Sequence, residues 1–600
     1  LELPVATTNS DLARLKELTG LKRILLPGAQ ITDGGLVYLR RLEELTHVDL
    51  SGSAITDAGL RSLQKLTSLR VLRLRNVPIG DVGLGHLKGL VGLEALDLTH
   101  TKVTNAGLAH LQDMNGLVEL SLAETAITSA GLVALANRGM KLLDLPKAAR
   151  NDVGLQHYLA AFQPLQRIDL SNWSVTDAGL AHLKTMASLE TVALDTLPVT
   201  NAGLVHLKML PGLKEISLAG TKVTDAGLAH LKEMQGLQRI SLEGTPVTAA
   251  GIAQLAGSEV VELALPVAAR SDVGLPHYLA ATAAQATLDL ARWTITDAAL
   301  AHLKERPQLE ELLLDHTPIT DAGLQHLAAV GQLRSLGLRG TMITDAGLVH
   351  LKQLAQLEEL NLADTGVTET GLGHLIGKQF DDLELPSGAR TDVGFGLYLE
   401  LAKKTEKLSL AGWRVSDAGL AHLKNQTQLS GLSLRGTGVS DAGMVQLAGL
   451  SNLQELDLSR TAVSGRGLSH LAGLSQLRSL DLSESEFDAV TQSRLSEFTG
   501  LRALDLAGIP VVAGDLTVLA ELEELERLTL DRIPLDDEAL RPLAELTQLQ
   551  ELSLRGTRIS DEGLAHLQGL ENLQTLRLGK SPISGSGLVY LKSLGQLREL

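Results

Sequence analysis

The segment Leu213 to Gly236 reads LKEISLAGTKVTDAGLAHLKEMQG, and its frame returns every 24 residues from Leu21 to Leu573, 24 times in all. A fixed period of this length means one small structural unit copied along the chain. Such a unit cannot bury its apolar face alone, so consecutive copies must stack. Stacking also removes the usual expectation that 600 residues divide into several globular domains.

The positions within one unit assign its parts. Leu213, Ile216 and Leu218 alternate as a short strand with one face inward. Gly220 and Thr221 mark a bend, and Val223 is expected to be buried after it. Thr224 stands as a helix N-cap, with Asp225 in the first helical turn, where a carboxylate complements the helix dipole. Leu228, Leu231 and Met234 recur at spacings of three, a helix with one narrow apolar stripe. Hydrophobic residues make up 44% of the chain but aromatic ones only 2%, so the core must be a thin layer of Leu, Val, Ile and Ala.

The frame LxxLxLxxTxVTDAGLxxL is similar to leucine-rich repeats of the cysteine-containing type, with Thr standing where that type has Cys, and it looks most like the long bacterial arrays. The resemblance covers essentially the whole chain. It implies an α/β fold, a right-handed leucine-rich-repeat solenoid of about 24 turns, with a parallel β-sheet on the concave face and short helices on the convex face. It implies no chemistry, because this architecture is shared by proteins of many functions. With strands about 4.8 Å apart and helices roughly 9 Å apart, about 15 turns would close a circle, so 24 are expected to form a superhelix or a flatter arc.

The expected organisation is a single solenoid over residues 1–600, with a partial first turn at 1–20 and less regular turns at 477–548. Leu1 falls inside a repeat, and Leu597 to Leu600 read as the start of another, so both ends are expected to be truncated.

Three variant turns, 140–164, 260–284 and 380–404, carry LPKAARNDVGL, LPVAARSDVGL and LPSGARTDVGF, spaced by 120 residues. Each begins one residue early, at Met140, Val260 and Phe380. Counting along the frame places Arg150, Arg270 and Arg390 where regular turns bury Val or Ile. Tyr158, Tyr278 and Tyr398 follow, and Trp173, Trp293 and Trp413, the only tryptophans, replace Thr in the next turn. Each Arg must snorkel, pair with a carboxylate such as Asp152, or stack on an aromatic ring. The first reading of these nine residues is a packing wedge; the second is a recurring partner-binding site, since Trp, Tyr and Arg dominate interface hot spots.

Other features narrow the function. There is no cysteine, which removes disulfides, thiolate metal sites and thiol nucleophiles. The formal charge of -17 is spread without long runs of one sign, which argues against nucleic acid and anionic membrane. No signal segment or membrane-spanning run stands in the sequence, and the compartment is left open. A histidine follows many GL pairs, as at His86, His110, His230 and His422, and is read as packing between helices. Thr-Asp pairs such as Thr56-Asp57 and Thr176-Asp177 are read as helix caps and not as calcium ligands. No catalytic residues, cofactor or metal are expected.

The outward strand positions, among them Asp49, Asp97, Asp169, Asp457, Asp481 and Asp505, with Glu119, Glu215 and Arg239 interspersed, make a polar, net acidic concave face. The expectation is a non-enzymatic interaction scaffold for a protein or peptide, a basic one by charge. One alternative is a self-assembling structural protein that uses the 120-residue period. The other is the recognition part of a larger effector or ligase-type protein.

Overall fold

The computed structural model describes residues 6–162, 164–486, 489–510, 513–584 and 586–600. The expected partial first turn (1–20) and the irregular stretch (477–548) fall partly outside the described residues.

Among the described residues there are 24 strands, each of three residues, and each is followed by a short α- or 3₁₀-helix. All paired strands are parallel and in register, as where Glu215, Ile216 and Ser217 face Arg239, Ile240 and Ser241. Their central residue points into the core and its two neighbours point outward, the alternation that a pleated strand imposes.

The chain forms two compact units, Leu1–Gln285 and Ala286–Leu600. The first holds a six-stranded sheet from Arg23–Leu25 to Leu142–Asp144 and a five-stranded sheet from Arg167–Asp169 to Glu262–Ala264. The second holds a five-stranded sheet from Thr287–Asp289 to Asp382–Glu384 and an eight-stranded one from Lys407–Ser409 to Thr575–Arg577. Each variant turn therefore supplies the last strand of a sheet.

The core is the expected thin layer. Leu213, Ile216, Leu218, Val223, Leu228 and Leu231 are all buried, and Met234 closes the stripe at 8% exposure. After the strand, regular turns reverse through a residue at positive φ. Glycine holds that place at Gly28, Gly52 and Gly220, but His100, Glu484 and Lys580 adopt the same left-handed conformation. The bend Thr then locks the reversal: Thr221 Oγ1 donates to the Leu218 carbonyl at 2.7 Å, and Thr101 does the same to Leu98.

The Thr-Asp pair works across turns and not only within one. Asp33 accepts from Thr56 N–H at 2.7 Å and from Thr56 Oγ1 at 2.6 Å, 23 residues away. The same double bond joins Asp81 to Thr104, Asp321 to Thr344 and Asp537 to Ser560. Where Asn replaces Asp, the amide does both jobs: Asn201 Oδ1 accepts from Thr224 N–H at 2.9 Å, and Nδ2 donates to Thr224 Oγ1 at 2.8 Å. Thr56, Thr176 and Thr224 do occupy N-cap backbone positions, but their hydroxyls cap no N–H of their own helix. At these three pairs the expected local cap is thus corrected to a bridge between turns, whereas Thr104, Thr200 and Thr368 make the bridge and cap their own helices as well. The bridge also fits the glycine that stands two residues after Asp in most turns, though Ala299 and Ala539 take that place after Asp297 and Asp537: a Cβ on Gly323 would stand 2.5 Å from Asp297 Oδ1.

Candidate binding face

The outward strand residues line up in rows, because register places equivalent side chains about 4.8 Å apart. Opposite charges in a row pair, as Arg239 does with Glu215 at 3.1 Å. Glycine or an outward gap lets longer pairs form. Lys407 reaches Glu455 at 2.8 Å over Gly431, where a Cβ would lie 3.1 Å from the lysine Cγ. Glu484 holds Arg460 at 2.7 Å on one side and, over Gly508, Arg532 at 2.8 Å on the other. The arginines pull the Glu484 carboxyl below its ordinary range, mainly through the Arg460 hydrogen bond.

The aspartates of this face are less free than their outward position implies. Asp49, Asp97, Asp457 and Asp481 each accept the main-chain N–H two residues on, at 2.8–2.9 Å, and so close the start of the bend. Asp505 does the same with Ala507 at 2.8 Å. Burial, together with the Asp481 and Asp531 charges on the adjacent turns, nevertheless pushes the Asp505 carboxyl up to about 6.

At the variant turns Pro146 follows the inward Leu145, and a 3₁₀ turn, Lys147–Ala149, takes the place of the positive-φ reversal. Ala149, Ala269 and Ala389 are fully buried, so the core position expected for the arginines is taken by the alanine before each of them. Each guanidinium instead supplies the donor that the bend Thr supplies in regular turns. Nε of Arg150, Arg270 and Arg390 donates to the carbonyls of Leu145, Leu265 and Leu385 at 2.8–2.9 Å. Nη2 pairs with Asp144, Glu243 and Glu384 respectively. The suggested partner Asp152 is engaged elsewhere, accepting from Thr176 at 2.6 Å.

Ring contacts join the first and the third cluster. Tyr158 meets Trp173 edge-on at 5.4 Å, and Tyr398 meets Trp413 edge-on at 5.6 Å. Arg390 also lies over the Trp413 ring at 5.8 Å. Burial raises the phenol pKa of Tyr158 and Tyr398. In the middle variant, Arg270 and Tyr278 belong to the first unit and Trp293, 6% exposed, to the second.

The ring of His422 packs edge-on against Phe395, and His86 shares a hydrogen bond with Gln64. Among the described residues no cluster of three or more His, Asp or Glu side chains is arranged to hold a metal ion, and no helix is long and apolar enough to cross a membrane.

Comparison with known proteins gives the architecture a name. A sequence profile described as Leucine Rich repeat matches residues 44–63, 449–472 and 546–567. No curated protein matches the chain. Among solved structures, an internalin from Listeria monocytogenes is 20% identical over 64% of this chain and 85% of its own, with a TM-score of 0.25. The TLR13–ssRNA13 complex is 17% identical over 96% and 91%, with a TM-score of 0.48. The leucine-rich-repeat ectodomain of the receptor kinase GASSHO1/SCHENGEN3 from Arabidopsis thaliana, in complex with CASPARIAN STRIP INTEGRITY FACTOR 2, is 16% identical over 97% and 84%, with a TM-score of 0.33.

Proposed function

The chain is a leucine-rich-repeat protein, and on that premise we propose that it is a non-enzymatic scaffold that binds a protein or peptide across the outward rows of its sheets. The observation that carries this reading is the rows themselves. In-register strands repeat polar side chains of the same position turn after turn, giving a long surface fixed by the core beneath it. In such a stack the core positions are committed to packing and the bends to hydrogen bonds, so the outward rows are the part free to vary with a partner.

Within this reading the Arg-Tyr-Trp clusters are packing devices. Trp293 and Trp413 are 6% and 8% exposed, and each arginine donates its Nε–H to a carbonyl of its own turn. The test is a pull-down with the native chain, followed by calorimetry of the recovered partner against two variants. Charge reversal at outward Glu215 and Arg239 is expected to weaken binding, whereas Trp413→Ala is expected to lower stability and leave binding intact. Retained binding after charge reversal together with lost binding after a folded Trp413→Ala would contradict the reading and favour docking at the clusters.

A second reading, self-assembly, draws on Val153, Val273 and Val393. They lie 120 residues apart and are 51%, 63% and 61% exposed where most regular turns carry Ala, although Val82 holds the same place in a regular turn at 67%. Sedimentation over a range of concentrations tests it; a strictly monomeric chain removes it.

A further inference from the structure

On the eight-stranded sheet one outward row runs through Ser433, Asp457, Asp481, Asp505 and Thr529, on successive strands that are each in register with the next. Three carboxylates thus stand one strand spacing apart, about 4.8 Å. Each uses Oδ1 to accept the main-chain N–H two residues on. Their second oxygens differ. Asp457 Oδ2 accepts from Ser433 Oγ at 2.7 Å, whereas Asp481 Oδ2 and Asp505 Oδ2 take no hydrogen bond among the described residues.

The charged groups around this pair leave it uncompensated. On the bends, Glu484 holds Arg460 at 2.7 Å and Arg532 at 2.8 Å. Arg527 is on the strand after Asp505 but is in register with Ala503, two residues away. Asp531, on the same turn as Arg527, accepts from Ser553 Oγ and from Arg555 N–H and adds a further negative charge. Thr529, next to Asp505 in the row, carries no charge.

We propose that Asp481 and Asp505 act as one unit that holds a single proton between their second oxygens, an acid-sensitive tie between adjacent turns of the binding face. The Ser433–Asp457 bond shows that an O–H donor in this row reaches the carboxylate one strand away. A protonated Asp505 is such a donor for Asp481, and an O–H···O⁻ bond of this kind closes to about 2.6 Å. When the proton leaves, two like charges face each other across one strand spacing, so the pair resists its second ionisation and titrates as a unit. Burial, with the Asp481 and Asp531 charges, sets the Asp505 carboxyl at about 6, where the tie gives way to repulsion.

The exchange changes what the face offers. Above that pH the pair is a dianion open to a cationic side chain, and below it the same side chain must displace a proton. On the scaffold reading, a partner that places Lys or Arg here binds more tightly as pH rises. The shared proton itself stands without that reading, because it needs only the two carboxylates and the strands that carry them.

The test uses the full chain and asparagine variants. Asn361 already fills this strand position and accepts the Ala363 N–H at 3.0 Å, so the substitution keeps the bend. Urea midpoints are compared for wild type, Asp457→Asn, Asp481→Asn and Asp505→Asn between about pH 5 and about pH 7. The folded pair keeps its proton to higher pH than the unfolded chain does, so wild type is expected to lose stability as pH rises through this window. Asp505→Asn and Asp481→Asn are each expected to remove that loss, and the double variant to gain less than the sum of the single gains. Asp457→Asn, whose second oxygen is served by Ser433, is expected to keep it. An Asp481→Asn chain with the wild-type profile means that Asp505 titrates alone and overturns the proposal, as do single gains that add. A second measurement needs no variant: carbon-13 resonance of labelled aspartate carboxyls in wild type. Two signals moving together through the window are expected, and one moving alone contradicts the shared proton.

Discussion

Asp177 and Thr200 lie on neighbouring turns and are joined twice: one carboxylate oxygen accepts the Thr200 N–H at 2.8 Å, and the other accepts its hydroxyl at 2.5 Å. This bridge runs beside the leucine core as a second, polar line of contact between turns. Asp177→Ala leaves a partly buried N–H and a hydroxyl without their acceptor and should cost about 2 kcal/mol. Asp177→Asn should cost far less, because Asn105 and Asn201 already make the same bridge in this chain. Hydrogen exchange at Thr200, compared across the two variants, checks both the size and the order.

Gly323→Ala tests the same contact from the other side. The new methyl would sit 2.5 Å from Asp297 Oδ1, so the carboxylate must leave Thr320 or the turns must separate. A loss of about 1–3 kcal/mol is expected by urea unfolding. Removing the obstacle in Asp297→Ala/Gly323→Ala should make the double variant more stable than the sum of the two single losses predicts.

The positive-φ bend offers a change of opposite sign. His100 is exposed and sits at φ 57°, a place where glycine stands in many other turns. His100→Gly should stabilise by about 0.5–1 kcal/mol, the left-handed strain released being partly offset by glycine's larger entropy loss. Thermal unfolding that moves downward would contradict the assignment of strain.

Asp505 gives the chain a pH dependence. Its carboxyl is raised from 3.8 to about 6 in the folded state, so its stabilising contribution is full below pH 3.8 and is lost as pH rises to about 6. Above that window the folded chain carries a carboxylate that burial, Asp481 and Asp531 all oppose. Asp505→Asn keeps an acceptor for the Ala507 N–H, and it should be more stable than wild type above pH 6 and indistinguishable near pH 4. Denaturation measured across that window for both proteins checks the sign.

Much of this was readable in the sequence, and what was not has one physical origin. Apolar spacing is a local signal, so Leu213, Ile216, Leu218 and Val223 fell where the period put them. Thr and Asp are adjacent in the chain, so a cap within one helix is the natural local reading, yet their bonds run 23 residues away. The exchange of Asp for Asn at 105 and 201 keeps an acceptor in place, a clue visible only when turns are aligned. Counting residues put Arg150 in the Val slot, but the 3₁₀ turn after Pro146 advances the chain by one and delivers Ala149. The outward aspartates read as free charge because their acceptor role depends on the bend backbone.

Within each unit, successive turns are bound to each other through a continuous interior and its polar bridges, and ladder pairing stops after Leu142–Asp144 and after Asp382–Glu384. Native-state hydrogen exchange over the whole chain tests this most directly. The prediction is protected strand amides that recur every 24 residues, with reduced protection at Leu142–Asp144, Arg167–Asp169, Asp382–Glu384 and Lys407–Ser409, where sheets end and begin. Protection that shows no 24-residue recurrence, or that is as high at these four strands as at Ala95–Asp97 within a sheet, would contradict it.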